Sequence, residues 1–285
     1  MELGLPVTSE TPWPLNSRGY NGLMTPPTQN KLQHDERIRR QFGLRAPTFE
    51  RSARWITDPR LAKAHVDAAG PPGSGLALCC GTGIVGSHLV SAGWNMLGVD
   101  LTPEMVKECS KHFSAIVANA EEVPRPPRSF DLVIMRQAYF LLENGPKVLK
   151  EVRRLLKPGG RFVLSQTVPF SEIDSPWLKK VHETKQREMV RFFTADDLAN
   201  ELREHGFKVS GQNSVRVRES VSLWMENAPE MEPERRKAVC DLVVNAPVEY
   251  RNLRKVEVVD GEILEDWNWV IFQAIPAGEP GDHHK

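Results

Sequence analysis

The residues best placed to do chemistry are two glycines and an acid. Gly81-Thr82-Gly83 is followed by Asp100 on the order of 20 residues later. An apolar run, Leu76 to Cys80, leads into the glycines. An apolar-periodic segment with Ile84, Val85, Leu89 and Val90 follows, then Gly93, then a second apolar run, Met96 to Val99, that stops at Asp100. The order is strand, tight glycine turn, helix, strand, acid. Glycines at a strand-to-helix turn let the backbone approach a bound molecule closely, and the first amides of the helix offer unpaired donors. An acid closing the second strand can accept both hydroxyls of a ribose. The chemistry implied is binding of a nucleoside cofactor. Gly81, Gly83 and Gly86 also satisfy G-x-G-x-x-G, a pattern that arises often by chance.

The wider series of elements narrows the cofactor. CCGTG, GVDLTPEM, ANAEEVP, SFDLVIMRQAYFLL and LLKPGGRFVLSQ occur in that order. This series resembles the class I S-adenosylmethionine-dependent methyltransferases, and most closely the branch with ubiquinone/menaquinone-type and other small-molecule enzymes. The resemblance covers about Phe42 to Gly211 and resumes from Trp267 to Ile275. It implies an α/β fold: a Rossmann-like, doubly wound, seven-stranded sheet, mostly parallel with the last strand antiparallel, with helical N-terminal and lid insertions. It also implies S-adenosyl-L-methionine as cofactor, held by Cys80, Gly81, Thr82, Gly83, Asp100, Leu101, Met105, Asn119, Ala120, Arg136 and Gln137. Leu101 and Met105 would lie along the adenine. Asn119 stands where relatives commonly carry an acid, and its carbonyl oxygen can still accept from the adenine amino group.

Two positions depart from the pattern. Relatives usually have an acid where this chain has Ala77 and a glycine where it has Cys79. Either the lost contacts are supplied by backbone carbonyls and the N-terminal segment, or cofactor binding is weakened or repurposed. Loss of one charge-assisted hydrogen bond costs about 1.5–3 kcal/mol, which lowers affinity by roughly one to two powers of ten without abolishing it.

Methyl transfer needs a nucleophile in line with a sulfonium carbon, exclusion of water and, for a phenol, a base. Parallel sheets bind ligands beyond the carboxyl ends of their strands, which puts Arg136, Gln137, Ala138 and Tyr139 beside the transferred methyl. Tyr139 and His182 are the candidate bases, and Arg136 is the candidate for lowering a phenol's pKa or holding a carboxylate. Each also has an ordinary structural explanation: a packed tyrosine, a solvated lid histidine, a structural arginine. Phe42, Arg45, Phe49 and Trp55 become substrate-pocket candidates by the resemblance. The primary expectation is methyl transfer to oxygen or carbon of an aromatic or quinone-like small molecule in biosynthesis. The alternative is a methyltransferase-fold protein that binds the cofactor without methylating, as a partner protein or a repurposed enzyme.

In 285 residues, 37 Lys and Arg balance 37 Asp and Glu, which argues for a small-molecule substrate and against nucleic acid. The start, MELGLPVTSE, has no basic stretch leading into a long apolar core, and no apolar run is long enough to span a bilayer. The expectation is a cytoplasmic protein with no membrane partner. Four cysteines, two adjacent in a predicted strand, suggest neither a disulfide framework nor zinc, and no metal is expected; the GDHHK ending reads as a solvated tail. Residues 1–30, rich in proline, are expected to be extended or disordered. A helical cap over 31–70 carries nine Lys and Arg against four Asp and Glu between Lys31 and Ala64. The cofactor-binding core spans 71–216 with a lid helix at 171–191, and 217–266 is a helical insertion that caps the substrate or forms a homodimer contact. The last strand and a flexible tail occupy 267–285.

Overall fold

The computed structural model describes residues 28–226 and 228–278. The expectations for residues before Thr28 and for the GDHHK ending lie outside the described residues. Thr28 caps the first helix, its hydroxyl accepting from Lys31 N, so the last three residues of the expected tail belong to ordered structure. That helix, α1 (Gln29–Arg45), leads through two 3-10 turns, Ala46–Arg51 and Arg54–Ile56, into α2 (Pro59–Ala69). The core alternates β1 (Ser74–Leu78), α3 (Ile84–Ser91), β2 (Asn95–Asp100), α4 (Pro103–Cys109), β3 (Ala115–Val117), β4 (Phe130–Arg136), α5 (Gly145–Leu155) and β5 (Leu156–Val168). Then come α6 (Ser175–Lys185), α7 (Ala195–Glu204), β6 (Phe207–Ser220), α8 (Val221–Glu226), α9 (Pro233–Val244), α10 (Val248–Arg254), β7 (Glu257–Val259) and β8 (Glu262–Pro276).

The strands lie in the order β3-β2-β1-β4-β5-β8-β6, with β7 added on β8. β1 to β5 pair in parallel, and β8 runs antiparallel to both β5 and β6. The strand order reverses between β1 and β4, and a crevice opens beyond their carboxyl ends. Helices cover both faces, so the inner strands are apolar on both sides. Leu76, Leu78, Val133 and Met135 face Val148, Leu149 and Val152 of α5. Their neighbours Ala77, Leu132 and Ile134 face Leu61, Ala64 and Ala68 of α2. The alternation is the two-residue period of a strand read from each side. The predicted starts of α4 at Thr102-Pro103 and of α7 at Thr194 are both seen, the latter with a reciprocal capping box to Asp197.

Three boundaries differ from expectation. The lid helix is α6, eleven residues rather than 171–191. Before it, Phe170 N and Ser171 N donate to the Asp174 carboxylate at 3.1 and 2.9 Å; after it, Val190 N donates to Phe140 O at 2.9 Å, which draws the chain out of the helix. The far edge of the sheet is longer: β6 reaches Ser220 and β8 begins at Glu262 instead of residue 267. An eighth strand, β7, joins β8 through Asp260-Gly261, both with positive φ (51° and 82°), the Asp-Gly chemistry of a tight hairpin turn.

The insertion between β6 and β8 is bolted to the lid. Arg254 on α10, 2% exposed, donates to Asp174 Oδ2 at 2.9 Å and to Glu265 Oε2 at 3.1 Å. Tyr250 Oη and Trp267 Nε1 donate to the same Glu265 at 3.0 and 2.8 Å. A buried cation shared by two hydrogen-bonded carboxylates fixes one arrangement of these elements. Among the described residues no helix is long and apolar enough to cross a membrane.

Candidate functional site

A cavity opens beyond the carboxyl ends of β1, β2 and β4, roofed by α1 and flanked by α6 and α8. Its floor is the glycine turn. Cys80 N donates to Val99 O at 2.9 Å, Gly83 N to Cys80 O at 3.0 Å, and Gly81 N to Asp100 Oδ2 at 2.9 Å. The other carboxylate oxygen, Oδ1, accepts from Thr102 N at 2.9 Å. Asp100 therefore stitches the turn to the start of α4, and each oxygen keeps a lone pair for a further donor. Burial raises its pKa, opposed by the backbone N–H groups of Thr102 and Gly81.

Gly83 has φ 91°, and a Cβ there would stand 2.8 Å from Cys109 Sγ. Gly81 (φ 53°) has open space where its Cβ would be, so its bare backbone borders the cavity. Cys79 also has positive φ, 54°. This left-handed backbone is the physical reason a glycine is the comfortable residue at that position.

Cys80, Gly81, Asp100, Leu101, Met105, Asn119, Ala120, Arg136 and Gln137 all line the cavity. Thr82, 2% exposed, and Gly83 do not; they hold the turn from behind. Gln137 keeps its amide on β5, exchanging hydrogen bonds with Thr167 Oγ1 and N at 2.7 and 2.8 Å. Asn119 Oδ1 accepts from Glu121 N at 2.9 Å, and its Nδ2 donates to Asp35 Oδ2 at 3.2 Å. Asp35 belongs to α1, so the roof brings an acid to the position where Asn119 stands in for one. Lys31 bridges this Asp35 to Glu121 at 3.1 and 2.8 Å.

The other half of the cavity is aromatic. Phe42, Arg45, Phe49 and Trp55 line it together with Trp224 and Trp267. Trp55 packs on Trp269 at 4.9 Å and carries the Arg136 guanidinium over its ring at 4.7 Å. Arg136 has no hydrogen bond or ion pair among the described residues, and burial lowers its pKa to about 9. His182 lines the cavity, 8% exposed, within 5.6 Å of Trp224 and 6.4 Å of Trp267 by ring centroids. Burial, with Arg254 and Lys185 nearby, drives its pKa down to about 3, so the ring is neutral.

Tyr139 is the correction. It is 2% exposed and packs into the core under the sheet. Its hydroxyl donates to Glu201 Oε1 at 3.0 Å, and it is not a wall of the cavity. Burial beside Glu201 pushes its pKa further up. The 3-10 turn Tyr139–Leu141 sends residue 139 inward and Phe140 toward the cavity.

The roof is latched by polar side chains, of which sequence reasoning singled out Arg45 and missed Gln41, Gln186 and Glu230. Arg45 Nη2 donates to Glu230 Oε1 at 2.6 Å, and Gln41 and Gln186 exchange amide hydrogen bonds at 3.2 and 2.8 Å. α1, the end of α6 and the insertion thus meet over the site. A signal existed: His34, Ile38, Gln41 and Arg45 recur at three- and four-residue spacing, a helix face whose inward residues are mostly polar. Lys185, missed as well, shares a face with Leu178, Val181 and His182.

Residues 76–164 match the family model described as a methyltransferase domain. An uncharacterised protein of Methanocaldococcus jannaschii is 29% identical over 148 residues, 51% of this chain and 68% of that protein. A ubiquinone/menaquinone biosynthesis C-methyltransferase of Geobacter sp. is 33% identical over 146 residues, 45% of this chain and 62% of that enzyme. A putative methyltransferase of Bacillus halodurans superposes with a TM-score of 0.67 at 19% identity, over 76% of this chain and 99% of that one, a likeness of fold.

Proposed function

We propose that this chain, a class I S-adenosylmethionine-dependent methyltransferase by its matched domain and its fold, methylates oxygen or carbon of an aromatic or quinone-like small molecule. The observation that carries the reading is the single cavity in which Gly81, Asp100 and Asn119 share walls with Phe49, Trp55, Trp224 and Trp267. The residues fit the cofactor. Bare backbone at Gly81, the spare lone pairs of Asp100 and the apolar Leu101 and Met105 suit a ribose and an adenine. Ala77 leaves no acid beside the turn, and Asp100 supplies the loop's anchoring instead.

S-adenosylmethionine brings the electrophilic methyl group. This chain's residues do the rest. The aromatic half takes a flat apolar ring and keeps water from it, as in-line displacement requires. Arg136, unpaired over Trp55, meets negative charge on the substrate or on the cofactor's carboxylate. His182, neutral, offers a hydrogen bond rather than a charge.

The test is calorimetric binding of S-adenosylmethionine to wild type and to Asp100→Ala, followed by release of S-adenosylhomocysteine with a panel of phenols and quinols. Asp100→Ala removes an acceptor of two backbone N–H groups and of the ribose, so affinity should fall at least about tenfold. A well-folded wild type that does not bind the cofactor would refute the reading. Binding without S-adenosylhomocysteine release across the panel would turn it to a non-methylating role.

A further inference from the structure

The cations around the cavity are matched to acids with two exceptions. Lys31 pairs with Asp35 and Glu121, and Arg45 with Glu230. Arg136 has its ring contact with Trp55. The remaining cation is Lys185, the last residue of α6. It is 2% exposed, lines the cavity, and makes no hydrogen bond or ion pair among the described residues; its Nζ stands 5.1 Å over the Trp224 ring. A long amine that lines an aromatic cavity without a partner is costly as a bystander, because burying an unpaired polar group is unfavourable.

The charges packed around it explain its state. Arg45 faces it from α1, Arg235 and Arg236 from the insertion, His182 from its own helix, and Glu230 is the acid among them. Glu230 Oε1 is already engaged by Arg45 and Gln41. Burial and the three arginines hold the Lys185 amine well below its ordinary pKa. A primary amine with no acid partner and its proton loosened in this way is placed to accept a proton and then to serve as counter-ion to whatever gave the proton up.

We propose that Lys185 is the general base that takes the proton from an aromatic hydroxyl of the substrate. The step deepens the methyltransferase reading and rests on it. The O–H bond breaks and its proton passes to the Nζ lone pair. The phenolate, now paired with the ammonium, attacks the methyl carbon through oxygen or through a ring carbon. The C–S bonding pair returns to sulfur. Transfer through oxygen is then complete, and the Lys185 ammonium gives its proton to solvent. After transfer through carbon the ring proton leaves to water, and the Lys185 ammonium returns its proton to the oxygen, so either route releases one proton.

The probe is 4-nitrophenol, whose anion absorbs in the visible and whose neutral form does not. It is added to the full chain saturated with S-adenosylhomocysteine, at a pH where the free chromophore is mostly protonated. Wild type should develop the anion band with no net proton released to the medium, since the proton stays on Lys185. Lys185→Met should lose the band and bind about tenfold to a hundredfold more weakly, a charged hydrogen bond having gone. Lys185→Arg separates a base from a fixed charge: it should keep the band while releasing about one proton per bound chromophore.

Proton release by wild type would mean that Lys185 is already charged, and would overturn the proposal. So would an undiminished band in Lys185→Met, a colourless bound phenol in wild type, or no chromophore binding by cofactor-loaded wild type. Cofactor affinity is measured on each variant. Its loss in wild type would instead strike the methyltransferase reading itself.

Discussion

Cys79 sits in the left-handed region, φ 54°, at the end of β1 and against the cofactor cavity. A residue with a Cβ there carries about 1–2 kcal/mol of backbone strain, whereas glycine carries none. Glycine loses more chain entropy on folding, about 0.5–1 kcal/mol, so part of the relief is cancelled. Cys79→Gly alone would mix these effects with loss of the thiol's packing against the core. Cys79→Ala is the right reference, because it removes the same thiol and keeps the Cβ. The difference between the two variants then isolates the backbone, and Cys79→Gly should be the more stable by about 0.5–1 kcal/mol. In thermal unfolding that is a rise of roughly 1–3 °C for a chain of this size. An internal control has the opposite sign: Ala199→Gly, in the middle of α7, should lower stability by about 1 kcal/mol or more. If Cys79→Ala melts at or above Cys79→Gly while the control behaves normally, the strain assigned to this turn is wrong.

Tyr139→Phe removes one hydrogen bond to Glu201, which keeps Arg191 at 2.8 Å. It should cost about 1 kcal/mol of stability in a denaturant titration and leave cofactor affinity and turnover unchanged; a collapse of turnover at full stability would return Tyr139 to the chemistry. His182 has a folded pKa of about 3 against 6.5 for the free side chain. Between those values the unfolded chain binds a proton that the native one does not, so stability falls as pH drops below about 6.5, by up to about 1.4 kcal/mol per unit. Buried His65, also held down to about 3, adds to the slope in the same sense. His182→Phe should flatten the dependence of the denaturation midpoint between pH 7 and 5 by one proton's worth, and parallel wild-type and variant slopes would contradict the burial argument.

The cofactor half was legible because its signals are local. A glycine turn, an apolar run ending in an acid and a Thr-Pro helix start each act within a few residues, and Gly81, Asp100 and Thr102 meet as their spacing requires. Tyr139 was misplaced because strand geometry fixes where residues leave the sheet, whereas the 3-10 turn after β4 decides which way each one points. The lid's length was overestimated because its helical periodicity runs on past Lys185. Tertiary bonds to Gln41 and to the Phe140 carbonyl then redirect the chain. The roof was opaque for a different reason. α1 turns His34, Gln41 and Arg45 inward, and a polar inner face carries no hydrophobic period until its partners, Glu230 and Gln186, are known.

This division bears on what likeness to methyltransferases can mean for the substrate. The matched segment, residues 76–164, contains the glycine turn, Asp100, Asn119 and Arg136. The aromatic and basic walls of the other half come from outside it: Phe42, Phe49 and Trp55 before, His182, Lys185, Trp224 and Trp267 after. A family resemblance carried by 76–164 therefore speaks for the cofactor and says little of the acceptor, whose aromatic walls lie outside it. Specificity is a difference in affinity between candidate substrates, and the groups able to create it here are an unpaired arginine, an unpaired buried amine and a ring of tryptophans. On the proposed function, such a set would favour a flat, acidic molecule. A neutral aliphatic one would leave the Arg136 guanidinium desolvated without compensation.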